Sequence, residues 1–321
     1  KDRLKENLFK VEDSSPEISL CMIVKDEEKN IIRCLTSVKP LVDEMIVVDT
    51  GSKDNTKKVA QSFGAKVFDF QWNENFSDAR NYSIEKASGK WILILDADEI
   101  ISPVDFEFIK NLVRHADERK FAFSLITRNY VNQINTMGWQ PNDGKYVEEA
   151  GAGWYYGVKV RLFPNIEGVR FENPVHERVE PSLEKIGISI IDTYIPVHHY
   201  GELDVSKVKA KDELYYELGK QRLAEKGGRD VKALYDLGVQ ASRLERYEEA
   251  IELFNEVIKI DPNYIKAFES MGNAYYNKGD YEKAKEYYKK VIDKGDPSRE
   301  VVVMSANCEI FTGNSERAIE V

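Results

Sequence analysis

The chain has 321 residues, 46 Lys and Arg against 56 Asp and Glu for a formal net charge of -10, and 42% hydrophobic and 32% charged residues. This is a globular composition, long enough for two domains that each bury a core. The acidic balance works against a nucleic-acid partner or an anionic membrane surface, and no apolar run approaches the roughly 20 residues of a membrane span.

The basic start (Lys1, Arg3, Lys5) lacks the apolar core of a signal peptide. Three cysteines (Cys21, Cys34, Cys308) show no metal-ligand spacing and read as reduced thiols. The expectation is a cytoplasmic protein. Residues 1–16 are polar and form an N-terminal arm ending at Pro16. Residues 18–24 are a strand, and Lys25-Asp26-Glu27-Glu28 turns into a helix carrying Ile31, Ile32, Leu35 and Val38. The pattern repeats with a strand at 44–48, the loop Asp49-Thr50-Gly51-Ser52-Lys53-Asp54-Asn55-Thr56 and a helix through Val59, Ala60 and Phe63. A short strand at 66–70 and a helix at 78–87 follow. Then comes Trp91-Ile92-Leu93-Ile94-Leu95, an apolar run that stops at Asp96-Ala97-Asp98-Glu99.

Strands alternating with helices over short links predict a mostly parallel sheet covered on both faces, with ligands beyond the carboxyl ends of its strands. Alternate residues of an extended segment project the same way, so Asp96 and Asp98 suit one hard cation. An isolated Asp-x-Asp is equally what a strand followed by a solvated acidic turn contains.

From 103 the rhythm changes to a helix at 103–115 and strand-like pieces at 121–126 and 158–163. Between them a Gly- and aromatic-rich segment runs from Met137-Gly138-Trp139 to Gly153-Trp154-Tyr155-Tyr156-Gly157, a candidate lid or substrate loop. Two histidine motifs follow, Val175-His176-Glu177-Arg178 and Val197-His198-His199-Tyr200-Gly201. After 205 a charged helix leads through Gly227-Gly228 into a repeat of period 34. The repeat aligns Leu234 with Phe268 and Val302, Gly238 with Gly272 and Ala306, and Ala250 with Ala284 and Ala318, with Asp261-Pro262 and Asp296-Pro297 closing the units. This is the tetratricopeptide signature. The layout is an arm at 1–16, an α/β domain at 17–205, a linker helix at 206–228 and about 2.5 repeats at 229–321. An end at Val321 inside a repeat's second helix suggests a truncated chain or a docking end, and the opening on Lys1 favours truncation.

Taken together, Lys25-Asp26-Glu27-Glu28, Val48-Asp49-Thr50-Gly51-Ser52, Phe76-Ser77-Asp78-Ala79-Arg80-Asn81 and Asp96-Ala97-Asp98-Glu99 resemble the family 2 glycosyltransferases of the GT-A, nucleotide-diphospho-sugar transferase fold. The resemblance covers about 17–201 and implies that Asp49 meets the base of a UDP-sugar, Asp26 or Glu27 lies near the ribose, and Arg80 lies by the base or phosphates. Asp96 and Asp98 would bind ribose and a Mn2+ or Mg2+ ion on the diphosphate, and His199 would complete that shell. Elementary chemistry agrees, since a diphosphate leaving group needs positive charge and hard oxygen ligands select these metals. His199 is equally readable as a strand-end residue, and His198, on the opposite face of the strand, is expected to be structural.

Inverting transfer needs a base for the acceptor's proton. The resemblance points to Glu177, with His176 as rival, although the common Glu-Asp pair here reads His-Glu. Glu177 can instead pair with Arg178 or Arg161 as structure; Trp154, Tyr155 and Tyr156 suit either stacking on a sugar or plain core; and Glu99 is given only the orientation of its neighbours.

The two domains in this order resemble bacterial glycosyltransferases with tetratricopeptide tails that modify peptides or proteins, such as the bacteriocin S-glycosyltransferases. Transfer to a protein, peptide or glycan acceptor is implied, with the repeats holding the acceptor or a second copy of the chain. Three alternatives stand beside it. The first is a polysaccharide glycosyltransferase that uses the repeats only to oligomerise, and the second is a non-catalytic repeat scaffold. The third, a nucleotidyltransferase, expects a Gly-rich basic loop near the N-terminus that this chain lacks.

Overall fold

The computed structural model describes residues 17–134, 136, 138–225, 227–295, 297–314 and 316–319; the arm at 1–16, Met137, Asp296 and Val321 lie outside them. The chain divides into two compact units between Leu203 and Asp204.

The first unit is built on a sheet of nine strands. Four pair in parallel in the order β3 (Lys66–Asp69), β2 (Glu44–Asp49), β1 (Ile18–Val24) and β4 (Trp91–Ile94). Beyond β4 the sheet becomes mixed, through antiparallel β8 (Gly153–Pro164), β6 (Phe121–Val131), β9 (Ser189–His199) and β5 (Glu99–Ile101), while the short β7 (Gln140–Pro141) adds to β8. Helices α1 (Glu28–Val38), α2 (Thr56–Ser62) and α4 (Phe106–His115) cover one face, packing Ile31, Leu35, Ala60 and Ile109 on Leu20, Met22, Trp91 and Leu93. Helices α3 (Phe76–Lys86) and α5 (Glu180–Lys185) cover the other, where Ile84 and Leu183 meet Cys21, Ile46, Ile92 and Phe163. Burial on both faces is why the inner strands read as unbroken apolar runs. Each fully buried Leu or Ile contributes about 1.5–3 kcal/mol.

The end of the Gly- and aromatic-rich segment, 153–157, departs from the lid expectation. Trp154, Tyr155 and Tyr156 lie inside β8, paired with Tyr130, Asn129 and Arg128 of β6. Twelve residues of strand form here on pairing with β6, a partner too remote in the chain, 26 residues between Asn129 and Tyr155, for a local scan to see.

The second unit is a stack of helices: α6 (Val205–Glu225), α7 (Val231–Arg243), α8 (Tyr247–Ile260), α9 (Ile265–Asn277), α10 (Tyr281–Asp293) and α11 (Arg299–Phe311). The repeat positions explain themselves in the packing. A Cβ at Gly238 would stand 2.6 Å from the Phe254 ring, and one at Gly272 would stand 2.5 Å from the Tyr288 ring, so only glycine lets the paired helices close. Helix α6 joins the stack through Arg243 to Asp212 (2.9 Å), Arg246 to Glu213 (2.8 Å) and the Tyr216 hydroxyl donating to Glu249. No described helix of the chain is long and apolar enough to cross a membrane.

Candidate active site

The loops that leave the parallel strands at their carboxyl ends gather at one edge of the sheet. Asp49 ends β2 with its side chain almost wholly buried; its Oδ1 accepts from the amides of Gly51 (3.0 Å) and Ser52 (2.8 Å), and its Oδ2 has no hydrogen-bond partner. The neighbouring loop after β1 is laced to it. Asp26, in the left-handed region at φ 54, receives the Lys53 amide at 2.7 Å and gives its own amide to Ser52 Oγ at 2.9 Å. The Glu27 amide donates to Thr56 Oγ1 at 2.8 Å, and its carboxylate accepts from Asn30 at 2.7 Å. Asp26 and Glu27 therefore hold the two loops together.

Beyond β4, Asp96 and Asp98 part company. Asp96 Oδ1 takes Arg80 Nη2 at 2.5 Å, while Asp98 Oδ2 lies 3.4 Å from His199 Nε2 at the end of β9. Among the described residues no three His, Cys, Asp or Glu side chains are arranged to hold a metal ion, so the expected set Asp96, Asp98 and His199 is not assembled at one point. The physical reason is the guanidinium: Arg80 is buried on α3, and burial alone would lower its pKa. The carboxylates of Asp96 and Glu177 outweigh that and raise it, so the arginine stays charged and claims Asp96.

Glu177 stands 3.4 Å from Arg80 Nε, not with Arg178 or Arg161. Arg178 pairs with Glu180 at 3.5 Å. The segment carrying Glu177 is tied to α3 by Asn81, which bonds both ways to the Phe171 backbone (2.7 and 3.0 Å), by Ser77 Oγ to the Asn173 carbonyl (2.5 Å), and by the Phe76 amide to Pro174 (2.9 Å). His176, next to Glu177, is exposed at φ 55.

Arg161 is spent on Glu99. The pair is bidentate at 2.6 and 2.5 Å and almost wholly buried. Glu99 Oε2 also accepts the Asp96 amide at 2.9 Å, and Arg161 reaches the Ile94 carbonyl (3.3 Å) and Thr127 Oγ1 (3.2 Å). The acidic turn is thus clamped from behind, which gives Glu99 the orienting part expected of it. Cys34 adds its thiol to the Asp96 carbonyl at 3.5 Å.

The two adjacent histidines face opposite ways. His198 is fully buried, with Nδ1 2.7 Å from the Tyr130 hydroxyl; burial, aided by Arg128, lowers its pKa to about 4 and keeps it neutral. His199 is also largely buried, and Nδ1 meets Asn129 Oδ1 at 2.7 Å. Burial disfavours its charged form, but the Asp98 carboxylate more than offsets this and the pKa is raised. Gly201 completes the corner: a Cβ there would collide with Asp98 Oδ2 and lie 2.7 Å from His199 Nε2. Trp154 packs beside Tyr130 and Tyr200 under Arg128, whose guanidinium sits 4.5 Å from its ring, so it belongs to the core, while Tyr156 is exposed.

Asn129 is the site residue that sequence reasoning missed, while Arg161 was weighed only as a partner of Glu177 and Gly201 only as the end of the second histidine motif. The only sequence-level signal for this corner was Gly201 directly after His-His-Tyr.

Residues 19–169 match the glycosyl transferase family 2 model, and residues 243–279 and 265–294 match two tetratricopeptide repeat models. A TPR repeat-containing protein of Synechococcus elongatus is 39% identical over 168 residues, covering 52% of this chain and 36% of that protein. The SPbeta prophage-derived glycosyltransferase SunS of Bacillus subtilis is 27% identical over 255 residues, covering 78% of this chain and 55% of that protein. An uncharacterized glycosyltransferase of Rickettsia felis is 35% identical over 111 residues, covering 34% of this chain and 38% of that protein. The chain spans only between a third and just over half the length of these relatives.

Proposed function

We propose that this chain, whose N-terminal unit belongs to glycosyl transferase family 2 and whose C-terminal unit is a tetratricopeptide array, is an inverting glycosyltransferase. It moves a sugar from a UDP-sugar to a protein, peptide or glycan acceptor. The observation that carries this reading is the corner where Asp98 Oδ2 and His199 Nε2 face each other at 3.4 Å beside Gly201, where no Cβ would fit, with Arg80 fixed between Asp96 and Glu177 alongside.

The donor set fits a divalent cation. One carboxylate oxygen and one imidazole nitrogen suit Mn2+ better than Mg2+, which prefers oxygen ligands. Asp98 and His199 would hold it, and when bound it neutralises charge developing on the departing diphosphate. Asp96 acts through Arg80. The buried guanidinium has Nη1 without a hydrogen-bond partner, a donor for a phosphate or base oxygen. The unpartnered Asp49 Oδ2 is an acceptor for the imide N–H of uracil, which is the reason to favour UDP over other nucleotides. Asp26 and Glu27 shape the ribose side by holding their two loops together.

Glu177 takes the proton of the acceptor's hydroxyl or thiol as that atom bonds to the anomeric carbon. The carbon's bond to the diphosphate oxygen breaks on the opposite face, and its electron pair leaves with UDP. A positioned base of this kind is worth about 10²–10⁴-fold; His176, exposed beside it, is the rival for that part.

The array binds the acceptor polypeptide or pairs two copies of the chain. Three buried free thiols suit a reducing, cytoplasmic setting.

The test is UDP release from UDP-sugars with added Mn2+, screened beside GDP-sugars. Turnover is expected with a UDP-sugar and is abolished in Asp98→Ala with the fold intact. Equal release by the variant and the native chain would sink the catalytic reading.

A further inference from the structure

One row of the sheet crosses four strands at the site: Tyr155 of β8 pairs with Asn129 of β6, Asn129 with His199 of β9, and His199 with Glu99 of β5. Within that row the Asn129 amide is oriented by its neighbours. Its Nδ2 donates to the Tyr155 carbonyl at 3.2 Å, which leaves Oδ1 as the atom facing His199 Nδ1 at 2.7 Å. An amide oxygen only accepts, so Nδ1 must carry the hydrogen. In the neutral imidazole the proton is then excluded from Nε2, which presents a lone pair toward Asp98 Oδ2, 3.4 Å away. Two electron-pair donors that face each other beside Gly201, where no Cβ would fit, make an arrangement suited to a cation.

We infer that Asn129 is a positioning residue that fixes His199 as the Nδ1–H tautomer and so presents Nε2, with Asp98, as a ready donor pair for a divalent cation. The use of that pair rests on the metal-assisted transfer proposed above, whereas the tautomer does not. Outer partners of this kind fix both the ring orientation and the nitrogen that binds, and their loss costs about 10–100-fold in metal affinity. Two features make Asn129 unlike an ordinary strand asparagine. Both ends of its side chain are engaged within the sheet, and the ring it holds is itself largely buried, so His199 has little freedom to flip.

The experiment is long-range proton–nitrogen correlation NMR of the full chain labelled with 15N-histidine, at alkaline pH where the rings are neutral. With four histidines in the sequence, His199→Gln assigns the signal. The native protein is expected to show the Nδ1–H pattern at His199. Asn129→Asp, which keeps an acceptor oxygen, is expected to retain it, and Asn129→Leu to lose it to a mixture or to Nε2–H.

Mn2+ affinity, read from the electron paramagnetic resonance of free ion, is expected to fall about 10–100-fold in Asn129→Leu and to stay within severalfold in Asn129→Asp. An Nε2–H pattern in the native chain, or one unchanged by Asn129→Leu in a variant whose tryptophan fluorescence shows a native fold, overturns the inference. An Asn129-dependent Nδ1–H pattern in a protein that binds no Mn2+ supports the tautomer assignment and removes the metal-assisted reading instead.

Discussion

Replacing Arg161 by Met isolates the clamp behind the acidic turn. The native side chains of Arg161 and Glu99 are 3% and 1% exposed and meet bidentately at 2.6 and 2.5 Å. Arg161→Met strands an ionised carboxylate in the interior, and breaking a buried pair in this way costs about 3–5 kcal/mol. Glu99→Gln strands the guanidinium and costs a similar amount. In the double variant no charge is left alone, and the Gln carbonyl can still accept the Asp96 amide that Glu99 Oε2 now accepts at 2.9 Å. The double variant is therefore expected to lie within about 1–2 kcal/mol of native, far from the sum of the two single changes.

The chain has two units, so a global melt is not two-state. All four tryptophans, Trp72, Trp91, Trp139 and Trp154, precede residue 204, so their fluorescence in a urea titration follows the first unit alone. A double variant destabilised by the sum of the singles, or an Arg161→Met cost below about 1 kcal/mol, would refute the reasoning.

Gly201→Ala places a methyl group between Asp98 and His199. The Mn2+ concentration for half-maximal UDP-sugar hydrolysis is expected to rise tenfold or more on the scale of about 10–100-fold for disturbed metal shells, and an unchanged value contradicts the assignment of the corner. Asp105 supplies the pH test. Burial first, then the Glu148 carboxylate, raises its pKa to about 6 against a favourable hydrogen bond to Tyr146. The folded state then binds more protons than the unfolded chain between the ordinary carboxylate range and that value, so the stability of the first unit falls as pH rises through this window. Asp105→Asn should remove that slope and stabilise the unit at neutral pH by roughly 1 kcal/mol, discounted for partial exposure. A slope that persists in the variant assigns it to another group.

Much of this was legible in the chain itself. The strand–acid–helix rhythm up to Glu99 and the small residues at period 34 are local patterns, and the structure places β1 to β4, Gly238 and Gly272 as those patterns require. What stayed hidden lies in long-range pairing. Glu99 finds Arg161 62 residues away, and His199 finds Asn129 at a separation of 70. Both contacts depend on the register of β8, β6 and β9, and only the second half of β8 reads locally as strand, its first half, 153–157, reading as part of a Gly-rich loop because its partners are remote. The Asp96 carboxylate misled for a different reason. Alternation would put it on the same side as Asp98 in an extended segment, but the chain leaves strand geometry after Ile94, and in the structure the two acids meet different neighbours.

Helix α3 carries a mechanical consequence. Arg80 reaches inward from it to Asp96 and Glu177, while Phe76, Ser77 and Asn81 fasten the backbone of 171–174, just ahead of Glu177, to the same helix. Arg80 and Glu177, the phosphate-side cation and the acceptor-side carboxylate of the proposed mechanism, thus share one mount. A shift of α3 on substrate entry would carry both as a single lever arm and conserve the spacing between the leaving and attacking sides of the reaction while the cleft changes width.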